Sequence, residues 1–261
     1  MNVLERKISQ ADYDINDLPR FSPWPARLLG IDRWQCRKKT TQEVWREYEY
    51  EKWGSLVKRV VEADHRISVE KVDEWIFQDI PACLCSIQGR LKLLSAKEAH
   101  QQYLDLIEEL LRSYLPGSAV VELGAGYGSV ILALAKREAF HRMRIIAGEY
   151  STSGLELIKR LALAQSLEIE TGHCDFALPQ VVDFGIPRNA VIFTSYATHY
   201  VPRLSTDFIR GLSTHHPRVV VHIEPCYEHH ECNSLLGLMR RRYIQVNDYN
   251  TNLVTLLHDQ E

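Results

Sequence analysis

Glu122-Leu123-Gly124-Ala125-Gly126-Tyr127-Gly128 is the segment whose residue types and spacing most directly imply chemistry. An acid closes a short apolar run at 119–121, three alternate glycines follow, and 129–135 continues as an apolar helical pattern. Glycines let backbone N–H groups approach a ligand closely, and the N-terminus of the following helix favours polar or anionic groups. The segment therefore predicts a nucleotide-binding turn between a buried parallel strand and a helix. The third glycine comes two positions after the second, whereas the dinucleotide fingerprint needs three, which weakens a dinucleotide reading.

Other acids fall at predicted strand ends. Residues 144–149 read as a second buried strand closing on Glu149, at the distance from the turn where a carboxylate accepts both hydroxyls of a ribose; a solvated strand end is the alternative. The run 150–153 offers a helix cap before the amphipathic 155–162. A third strand at 167–171 precedes Cys174 and Asp175, the latter also suited to a turn. A fourth strand begins at 190 and breaks into a polar, aromatic loop, 194–200, that carries Ser195 and His199; a fifth, 218–223, carries His222 and ends at Glu224. Ligands of open α/β sheets lie outside the carboxyl ends of the strands, so this loop should face the reacting group. Histidine ordinarily titrates near neutrality, which makes His199 the first candidate for a general base, with Glu224 and His222 after it. A buried structural role for His199 stays open.

Acid-x-Gly-x-Gly-x-Gly over 122–128, with this order of strands and helices, resembles the first motif of the class I S-adenosylmethionine-dependent methyltransferases. The resemblance covers roughly residues 96–240. It implies a Rossmann-like fold, S-adenosyl-L-methionine as cofactor, and cofactor contacts at Glu122, Gly124, Ala125, Gly126, Gly128, Glu149, Tyr150, Cys174, Asp175 and Ser195, with Asp175 accepting from the adenine amino group. The implied reaction is in-line methyl transfer to an oxygen or nitrogen of a small-molecule acceptor. The alternatives are a protein or peptide acceptor, or a module that binds without turnover. The loop after the fourth strand is similar to that of small-molecule methyltransferases and lacks the Asp/Asn-Pro-Pro-aromatic motif of those acting on nucleic-acid bases. The family's frequent Pro-Gly-Gly turn before the fifth strand is replaced by His215-His216-Pro217-Arg218.

The elements that position these residues read as an α/β, doubly wound and mostly parallel sheet over 96–261, preceded at 1–95 by a mainly helical cap. Trp45, Tyr48, Tyr50 and Trp53 suit either covering a ligand or packing between helices. Prolines make 21–25 extended, and a helix from 96 places Tyr103, Leu104, Ile107, Leu110, Leu111 and Tyr114 on one face before Pro116-Gly117. After a helix at 235–243 and a turn at 247–252, residues 253–257 read as strand or short helix, leaving little chain for the family's antiparallel sixth and seventh strands. The sheet is then abbreviated, or a second chain covers its edge, so homodimerisation is an expectation.

With 261 residues, 45% hydrophobic and 25% charged, the chain suits a globular protein with one main core. A formal net charge of −3 gives no global attraction to nucleic acid, and Arg240-Arg241-Arg242 reads as a solvated helix end. No apolar run spans a bilayer, and residues 1–7 are not followed by a secretory stretch, so a cytoplasmic location without membrane contact is expected. Six cysteines then read as reduced thiols, with Cys83 and Cys85 unconvincing as a redox pair. Cys226, His229, His230 and Cys232 lack the second separated pair that zinc wants, so 226–232 reads as a polar rim or helix start and no metal is expected.

Overall fold

The computed structural model describes residues 13–22, 24–28, 40–63, 67–80 and 82–259; residues 1–7 and Pro23, singled out above, lie outside them. Within these residues the strands are β1 (Cys83–Ile87), β2 (Arg90–Leu94), β3 (Ala119–Leu123), β4 (Arg144–Glu149), β5 (Glu170–His173), β6 (Val191–Ser195) and β7 (Val219–Ile223). The first two form an antiparallel hairpin, and the other five a sheet in the order β5-β4-β3-β6-β7 with every neighbouring pair parallel. The chain winds outward from β3 through β4 to β5, then crosses back to β6 and β7. This is the doubly wound topology predicted from the sequence, with its switch point between β3 and β6.

Helices α1 (Thr41–Arg46), α2 (Trp53–Glu62), α3 (Val69–Phe77), α4 (Ala96–Arg112), α5 (Ser129–Ala135), α6 (Thr152–Ala164), α7 (Thr206–Ser213), α8 (Leu235–Val246) and α9 (Leu253–His258) surround the strands. Period-two alternation along β3 divides its side chains between two cores. Val120 joins Val60, Val69, Leu104, Ile131 and Leu157 on the face covered by α2 to α6, so the helices before residue 95 share a core with those after it. Ala119, Val121 and Leu123 join Phe208, Leu212, Leu253 and Leu256 on the face covered by α7 and α9. All five β3 residues are buried, which is why the strand reads as a continuous apolar run rather than an alternating one. Leu157 is fully buried, and its truncation to alanine would cost about 2–5 kcal/mol.

Some elements depart from expectation and others follow one of its alternatives: Leu18–Phe21 and Trp24–Leu28 are short helices where 21–25 was expected to be extended. The third strand starts at Glu170 rather than 167, because Leu167 and Ile169 pack against the core before the ladder to β4 begins. Residues 253–258 form the short helix that was one of the two expected alternatives, and Leu253 and Leu256 fill the second core. The sheet of the described residues ends at β7 without further strands. The β1–β2 hairpin interrupts the helical N-terminal region; its turn, Gln88-Gly89, takes positive φ at both positions, a conformation usually announced by Asn-Gly. No helix among the described residues is long and apolar enough to cross a membrane.

Candidate functional site

The glycine turn leaves the end of β3 and enters α5. Gly128 caps that helix with φ of +88°, and a Cβ there would stand 2.9 Å from Ile158 Cγ1 and 3.0 Å from Leu132 Cδ1. Backbone conformation and helix packing therefore both require glycine. Glu149, at the end of β4, is 5% exposed. One of its oxygens accepts from Gly126 N at 2.9 Å, and the other from Ser151 N at 3.0 Å and Ser151 Oγ at 2.7 Å. Burial raises its pKa against the pull of these donors. The Tyr150 backbone N–H adds to these donors, so Glu149 is held in place by the turn and by the start of α6.

Glu122 is 2% exposed, and its Oε2 has no partner among the described residues. Burial holds its pKa well above the carboxylate range, with the charges of Glu149 and Glu224 adding and the Ile131 backbone N–H opposing. On the third strand's side, Cys174 is buried, its thiol pushed up by burial. Tyr150 stacks obliquely on His173 at 5.7 Å, and its phenol is raised by burial and then by the Asp175 charge. Asp175 accepts from Ala177 N at 2.9 Å, the turn geometry that the sequence also allowed. Gly124 N and Ala125 N donate to Gly148 O at 2.8 and 3.0 Å, tying the turn to β4.

The fourth and fifth strands bring His199 and Glu224 together. His199 is 6% exposed, with Nδ1 3.4 Å from Glu224 Oε2, an ion-pair separation longer than a normal hydrogen bond. Burial acts to raise the Glu224 pKa, but His199 and the backbone N–H of Ala197 outweigh it and hold this carboxylate below its ordinary value. Ala197 N and Thr198 N reach Glu224 at 3.0 and 3.1 Å, so the acid fixes the loop that carries His199. His222 is set apart. Its Nδ1 meets Thr194 Oγ1 at 2.9 Å, its ring packs near Phe208, and its buried Nε2 has no partner among the described residues. Burial lowers its pKa to about 4, which keeps it neutral near pH 7.

Residues from the N-terminal segment, which the sequence suits either to covering a ligand or to packing between helices, lie against the glycine turn. Residues Glu47–Lys52 form a π-helical turn, a rare geometry often found at functional positions. Gly54 permits it, since a Cβ there would meet the Glu49 carbonyl at 2.6 Å. The Glu49 carboxylate accepts from Ser153 N at 3.2 Å and Ser153 Oγ at 3.0 Å, at the start of α6. The Trp53 ring lies where a Gly126 side chain would be, with Cζ2 at 3.2 Å from that position, and its buried Nε1 has no partner among the described residues. Tyr48 packs on Trp53 and Tyr200, and Tyr200 and Tyr249 enclose His199 at ring distances of 4.0 and 4.8 Å. Tyr103 OH meets Ser195 Oγ at 2.7 Å from α4. Burial is the largest influence on the phenols of Tyr48, Tyr103, Tyr200 and Tyr249 and pushes them up, so they act as neutral hydrogen-bonding groups.

A separate cleft of about 800 Å³ lies among α3, α4 and the end of α5, lined by Phe77, His100, Leu104 and Lys136 among others. Asp73 at its floor accepts from Tyr127 OH at 2.6 Å and Ser129 Oγ at 2.8 Å. These bonds brace the glycine turn from behind. The convergent acids, the turn and His199 lie at the carboxyl edge of the strands, which is where ligands of this topology bind.

No protein-family model and no curated protein matches this sequence. Solved structures do match. A magnesium protoporphyrin IX methyltransferase from Synechocystis PCC 6803 with bound SAH is 15% identical over 67% of this chain and 67% of its own, at a TM-score of 0.38. An S-adenosylmethionine-dependent methyltransferase from Clostridium acetobutylicum ATCC 824 is 16% identical over 49% of this chain and 51% of its own, at 0.37. A coclaurine N-methyltransferase bound to N-methylheliamine and SAH is 16% identical over 74% of this chain and 60% of its own, at 0.35. In one further match the chain spans only 41% of the other protein's length. At such identities and scores the likeness does not bear on activity, which has to be read from the chain's own residues.

Proposed function

We propose that this chain is an S-adenosylmethionine-dependent methyltransferase acting on an oxygen or nitrogen of a small, partly apolar acceptor. The observation that carries the reading is the meeting, at the carboxyl edge of a doubly wound sheet, of the glycine turn, an anchored Glu149 and a buried Glu122 oxygen without a partner. An orphaned buried oxygen costs about 1–3 kcal/mol unless a ligand donor reaches it. The residues present thus fit the cofactor: Glu149 would hold the ribose, Tyr150 and Asp175 the adenine side, and Glu122, Gly124, Ala125, Gly126 and Gly128 the turn side, with Cys174 and Ser195 at its flanks. When bound, S-adenosylmethionine supplies an electrophilic methyl group on a sulfonium.

The protein's own contribution is orientation, exclusion of water and proton removal. Tyr48, Tyr200 and Tyr249 wall the acceptor side with neutral aromatic surface, which suits a partly apolar molecule and supports the small-molecule reading. Ser195, held by Tyr103, offers a fixed hydroxyl. His199 accepts the acceptor's proton in this reading, and Glu224 positions it through the loop. His222, neutral and bonded to Thr194 on the α7 side of β6, has the weakest claim of the three candidates. The open edge of β7 keeps homodimerisation within the proposal.

The test is methyl transfer from labelled cofactor to a panel of small hydroxyls and amines, followed by His199→Ala. Loss of about 100-fold or more in kcat with cofactor affinity intact supports the base role, and a fall of less than about tenfold removes His199 from it.

A further inference from the structure

Cys83 and Cys85 are two residues apart on β1, so both side chains leave the same face of the strand. Their Sγ atoms lie 3.7 Å apart, and both residues are half-buried, hence within reach of small solutes. With one residue between them on a strand or loop, the sequence makes them an unconvincing redox pair; the structure brings their sulfurs together. The antiparallel ladder to β2, with Cys83 opposite Leu94 and Cys85 opposite Lys92, holds the strand extended and the thiols side by side.

We infer that Cys83 and Cys85 form a dithiol–disulfide exchange site that reacts with small-molecule disulfides of the glutathione class. The Cys83 thiolate attacks one sulfur of the oxidised disulfide, expelling one thiolate and leaving a mixed disulfide on Cys83. The Cys85 thiol gives up its proton and attacks the Cys83 sulfur, expelling the second thiolate and closing the protein bridge. Two protein thiols lose two electrons and two protons, and one disulfide becomes two thiols. The order of attack follows from the local chemistry. The sulfur–sulfur contact favours a thiolate at Cys83, whose pKa it lowers against the effect of burial, while the same pairing raises Cys85.

The bridge would be labile. A strand rise of about 3.2–3.4 Å per residue puts the two Cα atoms about 6.4–6.8 Å apart. That is the upper end of the roughly 4.4–6.8 Å usual for disulfides, and near-parallel Cβ vectors leave the Cβ atoms farther apart than the roughly 3.5–4.5 Å a bridge needs, so closing it must bend β1 locally; strained bridges are the readily reduced ones. The exchange site does not depend on the methyltransferase reading.

The experiment incubates the purified, unsubstituted chain in mixtures of reduced and oxidised glutathione, quenches with acid, alkylates free thiols and maps the peptides by mass spectrometry. The expected result is a peptide carrying Cys83 and Cys85 that has lost two hydrogens, with alkylation of both falling roughly tenfold and restored by dithiothreitol. Cys85→Ser should instead retain a glutathione adduct on Cys83. Full alkylation of both thiols under oxidising conditions would overturn the inference. So would a persistent adduct at Cys83 in the unsubstituted chain, or protection reversed by a chelator but not by dithiothreitol, which would indicate a metal chelate.

Discussion

Inside the protein, Glu122 keeps its proton above the pH at which an exposed carboxyl releases it, chiefly because burial disfavours the charge. The unfolded chain releases that proton at the ordinary carboxylate pKa, so the folded state binds more protons above it and stability falls as pH rises. Glu122→Gln should therefore gain in urea midpoint relative to the parent as pH goes from about 4.5 to 8, while losing affinity for the cofactor. A difference that stays constant with pH would contradict the assignment. His222 has the opposite sign. Neutral in the fold down to about pH 4 but protonated when unfolded below about 6.5, it removes roughly 3 kcal/mol of stability as pH falls through that window, and His222→Gln should flatten the profile there. The turn and Glu149 were legible because strand, acid and glycine spacing are local signals. Trp53, Tyr103 and Glu49 were not assignable, since their contacts join segments tens of residues apart: Glu49 reaches Ser153 across 104 positions, and no periodicity encodes that.

At the level of elements, the π-helical turn and α2 are fastened over the glycine turn by the Glu49 bonds to the start of α6 and by the Trp53 ring on Gly126. A carboxylate at a helix N-terminus stabilises it through the free N–H groups and the helix dipole. Glu49→Ala should loosen this segment by about 1 kcal/mol, read as faster amide exchange over residues 47–62 with that of β3 and β6 unchanged. Unaltered exchange at 47–62 would show that the fastening lies elsewhere. Four of the five sheet strands were readable from apolar runs ending in polar residues. The exception, β5, was displaced because apolar Leu167 and Ile169 look like strand but pack on the core ahead of it, whereas the ladder begins at the polar Glu170. The β1–β2 hairpin was missed for a related reason: neither its half-buried strands nor Gln88-Gly89 carries a strong hairpin signature.

Across the whole molecule, the parallel sheet of the described residues stops at β7, whose five residues are all half-buried where β3 is buried throughout. An edge of that kind invites pairing, so light scattering at working concentration should give a dimeric mass, and a monomeric one would count against the edge as an interface. The central claim concerns the carboxyl ends of the strands, where β3 and β4 meet at the glycine turn. Calorimetric titration with S-adenosylmethionine and S-adenosylhomocysteine, with NAD as the comparison, tests it most directly. Saturable binding of the first two and none of NAD, weakened by Gly126→Val and by Glu149→Ala, is the predicted result. Binding of none of the three, or of NAD in preference, would contradict the account.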